Sequence, residues 1–158
     1  MMPLAALTLF MVAGCSQKKE KVSEWESTEF QLSMTAEDST AIVQLGDECM
    51  AALKEGKMDA ALDMLCLYDD SLKTVQPLTD ETRAAYQRRF AMFPVRDYKL
   101  SYFSFREEGL NDLKYDVFFG PAEAGSPKTS FMFNPVKVDG QWHLSVKTAM
   151  QDMDETMR

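Results

Sequence analysis

The 158-residue sequence predicts an α+β domain in which three amino-terminal helices pack on a four-stranded antiparallel sheet. Two observations carry this. Apolar residues recur at a helical spacing as far as Pro94 and at a spacing of two beyond it. The punctuating residues Gly56, Pro94 and Asp139-Gly140 fall where a helix must stop or a strand must reverse.

Thr35-Ala36-Glu37-Asp38 forms a helix start, with Thr35 as cap and acids in the first turn at the positive end of the helix dipole. Ile42, Leu45, Cys49 and Leu53 supply the apolar stripe, and Gly56 supplies the stop. Met58, Ala61, Leu62 and Leu65 mark a second, short helix folded back across Glu55-Gly56-Lys57. Thr79-Asp80-Glu81 opens the third, whose face is Tyr86, Phe90 and Phe93 and whose end is Pro94. Tyr98, Leu100 and Tyr102 then alternate with Lys99, Ser101 and Phe103, and Leu113, Tyr115, Val117 and Phe119 with Lys114, Asp116 and Phe118. Phe131 and Phe133 continue the pattern; Val136 and Val138 resume it one residue out of phase, so a bulge is expected at Asn134-Pro135. Asp139-Gly140 is a two-residue hairpin turn, and Trp142, Leu144 and Val146 form the inward face of the last strand.

The amino terminus carries a different signal. Leu4 to Val12 is an apolar run closed by Val12-Ala13-Gly14-Cys15. That run is shorter than the ~20 apolar residues a membrane-spanning helix needs. It resembles a bacterial lipoprotein leader with its lipobox, although Met1-Met2-Pro3 lacks the basic residues such leaders carry. The competing reading, a buried amino-terminal helix, is opposed by Pro3 and by the abrupt polarity of Ser16 to Lys21. The resemblance implies that residues 1–14 are a signal peptide and that Cys15 is the lipidated residue. Its acyl chains (palmitate among them) would then hold the protein firmly to a membrane of the cell envelope. Ser16, in place of the aspartate that favours inner-membrane retention, implies the outer membrane, facing the periplasm. Residues 15–34 then read as lipidated Cys and polar tether, in which Phe30, Leu32 and Met34 alternate as a short extended piece. Trp25 is either a partner anchor or an aromatic resting on its own domain. Residues 150–158 form an acidic tail, in which Met150, Met153 and Met157 keep a helical spacing.

Helices followed by an antiparallel sheet ending in Val138-Asp139-Gly140-Gln141-Trp142-His143-Leu144, together with the early segment Leu53 to Leu62, resemble the nuclear-transport-factor-2-like superfamily. In particular they are similar to small lipoprotein domains without assigned activity. The resemblance spans residues 35–149 and implies a curved sheet that wraps the helices into a cone with a pocket inside. The superfamily includes isomerases, dehydratases and hydrolases as well as binding and dimerisation modules, so the fold does not fix the chemistry.

Composition narrows the partners. The net charge of −8 opposes nucleic acid and anionic lipid surfaces, both of which need clustered Lys and Arg. Without the leader about 144 residues remain, enough for one domain with a real core and a tether. Twelve Met and ten Phe suit an adaptable apolar interior. Cys49 and Cys66 stand almost symmetrically about the Gly56 turn, so they either bridge or remain two buried thiols.

No catalytic constellation emerges. His143, the single histidine, falls by parity on the outer face and has no ligand partner at metal spacing, so neither a metal site nor a cofactor is expected. Asp116 sits mid-strand on the face opposite Tyr115 and Val117, where a cross-strand Lys such as Lys99 would pair with it. It could act as a general base only if the sheet were inverted. Arg83, Arg88 and Arg89 read as a solvated helix face or as an anion-receiving mouth. Tyr86, Tyr98, Tyr102, Tyr115, Phe131, Phe133 and Trp142 are the candidate pocket lining. Phe103, Phe105, Phe118 and Met132 fall on the opposite face and form a candidate interface for a homodimer or an envelope protein partner. The functional expectation is a tethered domain that binds a ligand or partner without catalysis, with no small-molecule ligand specified. Two alternatives stand beside it: an enzyme with a carboxylate in the cone, and a purely structural dimerisation module.

Overall fold

The computed structural model of the protein describes residues 27–123 and 125–147. The leader, Cys15, Trp25 and the acidic tail lie outside these residues. The described elements are α1 (Glu29–Ser33), α2 (Ala36–Lys54), α3 (Met58–Asp63), β1 (Leu65–Asp69), β2 (Thr74–Pro77), α4 (Asp80–Met92), β3 (Asp97–Glu107), β4 (Leu110–Phe118), β5 (Lys128–Val138) and β6 (Gln141–Val146). The α+β class holds, but the described sheet has six strands in the order β2-β1-β6-β5-β4-β3, and it is mixed because β1 runs parallel to β6.

One of the additional strands, β1, arises where a helix was expected to continue. Leu65 extends the apolar stripe of α3, yet α3 stops at Asp63 and Leu65 pairs with Leu144 on β6. The run Leu65-Cys66-Leu67-Tyr68 alternates as well as it coils, and the open edge of β6 decides the matter. β2 then covers β1, with Pro77 at an edge position where its missing N–H costs nothing. α1 replaces the extended piece expected from Phe30, Leu32 and Met34. Thr28 and Gln31 form a capping box, and Gln31 Nε2 also donates to the Phe105 carbonyl of β3 at 2.8 Å.

The helices expected from sequence are present, and their ends follow from local chemistry. Thr35 and Asp38 form the capping box of α2. At the other end Gly56 adopts φ +76, while the amides of Gly56 and Lys57 donate back to the Leu53 and Ala52 carbonyls. α2 and α3 thus form a hairpin laid across the sheet. Ile42, Cys49, Met50, Ala61 and Leu62 are all fully buried. So are Leu113, Tyr115 and Val117 of β4, while Phe131, Phe133 and Leu144 are nearly so. Burying side chains of this size contributes roughly 1.5–3 kcal/mol each. Gly46 permits the approach: a Cβ there would stand 2.3 Å from Tyr115 Oη and 2.7 Å from a Leu113 methyl.

The register of the sheet differs from simple alternation in two places. β3 pairs Leu100 with Tyr115 but Tyr102 with Lys114, so Ser101 is an extra residue bulged out of the ladder. From Tyr102 to Phe105 each side chain therefore takes the face opposite to simple alternation, until a second shift at Arg106, between Phe105 and Glu107, reverses the change. Conversely, the expected slip at Asn134-Pro135 is absent: β5 pairs with β6 without interruption from Phe133↔Val146 to Val138↔Gln141. Val136 and Val138 therefore face away from the helices, and Lys137 faces toward them. The interruption is met by side-chain amides instead. The Asn111 amide N–H donates to Asn134 Oδ1 at 2.7 Å, Asn111 Nδ2 to the Pro135 carbonyl, and Asn134 Nδ2 to the Gly109 carbonyl. At the Asp139-Gly140 turn both residues have positive φ, 51° and 77°, as the expected two-residue hairpin requires.

Candidate functional site: a groove between α2 and the edge strand β3

The interior on the helix side of the sheet is filled by side chains. Tyr115, Phe131 and Phe133, expected to line a pocket, are 0–2% exposed and belong to the core. Phe90 and Phe131 stack at 5.0 Å, and Tyr86 meets Phe90 edge-on. At the margin, a groove of about 660 Å³ opens between one flank of α2 and β3. Ser39, Thr40, Val43, Gln44, Asp47, Glu48 and Ala51 form the helical wall, and Tyr98 and Phe103 the strand wall.

The helical wall follows from spacing. Ile42, Gly46 and Cys49 face the sheet, so Val43, Asp47 and Ala51, four apart, fall on the adjoining flank. Thr40, Gln44 and Glu48 lie one step further out. The strand wall depends on the Ser101 bulge. It turns Phe103 and Phe105 onto the helix side, correcting their expected place in an outer interface, and sends Tyr102 to the outer side, correcting its place in a pocket. Phe103 enters the groove at 38% exposure, and Phe105 packs on Trp142 with ring centroids 5.5 Å apart.

Two carboxylates are fixed in this wall. Tyr115 Oη donates to Asp47 Oδ1 at 2.8 Å, and burial together with that carboxylate pushes the Tyr115 phenol well above its ordinary pKa. Tyr98 Oη reaches the Asp47 carbonyl at 3.5 Å; burial, followed by the Asp47 charge, raises its pKa too. Gln44 Nε2 donates to Glu48 at 3.1 Å. No Lys or Arg belongs to the lining, and the nearby Lys54 is engaged with Asp97 at 3.2 Å. The groove is therefore apolar at its Phe103 end and anionic where Tyr98 meets Asp47. Its chemistry suits holding a ligand by packing and charge, with both phenols kept protonated as hydrogen-bond donors.

The end of α2 nearest Phe105 is locked by a polar staple. Asp38 Oδ1 accepts from Lys137 Nζ at 2.8 Å and from Trp142 Nε1 at 2.9 Å, while Oδ2 takes the Thr35 amide. Lys137, then Trp142, holds the Asp38 carboxyl well below the usual carboxylate range. Trp142 is thus a structural donor that ties β6 to α2 and does not line the groove.

The other sequence candidates lie apart from it. Asp116 faces outward, opposite Lys99 across the strand and 2.8 Å from Lys128. Phe118 is buried, with Lys128 over its ring, and Met132 is half-buried on the same outer side, further along β5 opposite Lys114. His143 pairs with Val136 on the outer face, as parity expects. Arg83 bridges Asp59 and Asp63 of α3, and Arg89 lies over the Phe131 ring. Cys49 and Cys66 are free thiols: Cys66 is on β1, not on a helix facing Cys49, and Cys49 Sγ points at the Ala61 carbonyl. Burial pushes the Cys49 thiol up to about 12 and the Cys66 thiol up to about 11. Among the described residues no set of His, Cys, Asp and Glu could hold a metal ion, and no helix is long and apolar enough to cross a membrane. Sequence reasoning missed Val43, Asp47 and Glu48, and it placed Asp38 only in the helix start, without its bonds to Lys137 and Trp142. A glycine inside an amphipathic helix was the available signal, since it marks where the sheet approaches and so which residues border the contact.

No protein-family model matches the chain, and no curated protein matches it. Among solved structures, it is similar to one from Campylobacter jejuni named as a candidate NTF2-like transpeptidase. The identity is 15%, the match covers 66% of this chain and 96% of that one, and the TM-score is 0.39. That likeness is too distant to carry activity across, so the site must be read from its own residues.

Proposed function

We propose that this protein is a lipid-tethered binding module with a nuclear-transport-factor-2-like domain. In this reading it holds an amphipathic ligand in the α2–β3 groove and does no chemistry on it. The observation that carries the reading is the shape of the site: an open groove with apolar surface along Val43, Ala51, Tyr98 and Phe103, and with Asp47 and Glu48 fixed by neighbours on one side. Aromatic side chains occupy the interior where a cone-type enzyme would keep its acid and base. The tether rests on the lipobox-like Val12-Ala13-Gly14-Cys15.

A neutral fluorescent probe, N-phenyl-1-naphthylamine, tests the groove. Saturable binding is expected in the wild type and its loss in Ala51→Trp, whose indole would fill the space. Absence of saturable binding, or equal binding by Ala51→Trp, would overturn the reading. For the tether, labelled palmitate should enter the full chain and not its Cys15→Ser variant.

A further inference from the structure

The groove adjoins a sheet edge, and the two features together specify a ligand class. β3 is the last strand in the order β2-β1-β6-β5-β4-β3, with β4 as its single strand neighbour among the described residues. A seventh strand laid along β3 would place alternate side chains between β3 and the flank of α2, which is where the groove lies. α1 marks where such a strand must stop. Gln31 Nε2 and Thr28 Oγ1 already donate to the Phe105 and Arg106 carbonyls, so an added chain would have to lie before Phe105.

Side-chain chemistry along the groove has a direction. α2 runs opposite to β3, since Asp38 lies near the Phe105–Trp142 stack while Asp47 meets Tyr98 and Lys54 meets Asp97. Phe103 and Val43 therefore favour an apolar side chain, and Asp47 and Glu48 favour a cationic one further along the same face of the strand.

Resting on the binding reading above, we infer that the occupant is an extended basic peptide segment. It adds to the β3 edge and turns an apolar side chain and a Lys or Arg, an even number of residues apart, into the groove. Backbone hydrogen bonds give such docking its strength; the apolar and acidic ends of the groove give it selectivity.

The test uses the full chain and the peptide acetyl-Thr-Phe-Thr-Lys-Thr-Phe-Thr-amide, whose palindromic order suits either strand direction, with a Lys→Glu control. The expected result is saturable binding together with slowed amide exchange along β3. The Glu peptide, and the double variant Asp47→Asn with Glu48→Gln, should bind about tenfold more weakly. Asparagine at position 47 keeps an acceptor for Tyr115, so the fold is retained. Binding without β3 protection, or equal affinity for the two peptides, would overturn the inference. If the naphthylamine probe still binds in that case, the groove reading survives; if neither ligand binds, both fail. β3 protection that grows with protein concentration in the absence of peptide would assign the edge to a second copy of the chain and would also overturn it.

Discussion

Replacing Asp38 by Asn tests whether one side chain both starts α2 and fastens it to the sheet. In the native protein Oδ2 accepts from the Thr35 amide at 2.9 Å, and Oδ1 accepts from Lys137 and Trp142 at 2.8 and 2.9 Å. Asparagine keeps one acceptor and turns the other position into a donor, so in either orientation one set of partners faces an N–H group. A lost cap contributes about 1 kcal/mol. A hydrogen bond to a charged group contributes about 1.5–3 kcal/mol. Lys137 is partly solvated and Asn retains one side, so the expected net loss is about 2–3 kcal/mol near neutral pH. The pH dependence has a definite sign. Lys137, Trp142 and Thr35 lower the Asp38 pKa in the folded state, while an unfolded Asp titrates near ~3.9. The contribution is therefore complete above about pH 4 and declines as the pH falls toward the folded value, so the gap between wild type and variant should narrow there. Urea unfolding followed by tryptophan fluorescence, near neutral pH and again at about pH 2.5, measures both quantities. A neutral-pH loss below about 0.5 kcal/mol, or a gap unchanged in acid, would refute the staple.

Gly46→Ala should be destabilising by about 1–2 kcal/mol even though alanine is the better helix former by about 1 kcal/mol, because its Cβ would meet Tyr115 Oη at 2.3 Å. Thermal denaturation checks the sign, and a stabilised variant would show that α2 has room to move. Tyr115→Phe removes the donor to Asp47 and should lower stability by about 1 kcal/mol in urea titration, with the core otherwise retained. Cys49, buried with its thiol raised to about 12, should resist a thiol reagent at about pH 8 until the protein unfolds; rapid labelling of the native state would contradict that burial. Deleting Ser101 should join Leu100 to Tyr102 without a bulge and leave Phe103 opposite Leu113, so naphthylamine binding should be retained; its loss in titration of the folded variant would show that the groove depends on the bulge itself.

Much of the local structure is legible in the sequence. Thr35 with Asp38, Gly56 and Asp139-Gly140 each fix a backbone event through a short-range bond or a positive φ, so the α2 cap, the helical hairpin and the β5–β6 turn followed from neighbouring residues. Strands β3 to β6 were visible because an exposed and a buried face impose a period of two. β1 was hidden, since Leu65-Cys66-Leu67-Tyr68 fits either period and only the free edge of β6 selects the strand.

For the site, the sequence determined which residues were apolar and acidic but not which of them share a wall. A single bulged residue, Ser101, exchanges the faces of Tyr102, Phe103 and Phe105, and no local signal in Leu100-Ser101-Tyr102 demands it. Asn134-Pro135, where a local signal did suggest a slip, keeps its register with β6 because the Asn111 and Asn134 amides satisfy the backbone on the other side. Asp47 became a groove residue only when α2 came close enough to the sheet for Tyr115 to reach it. Helix caps and turns depend on bonds between residues three or four apart, whereas facing, register and groove lining depend on contacts between residues tens of positions apart. Tertiary packing alone chooses among those.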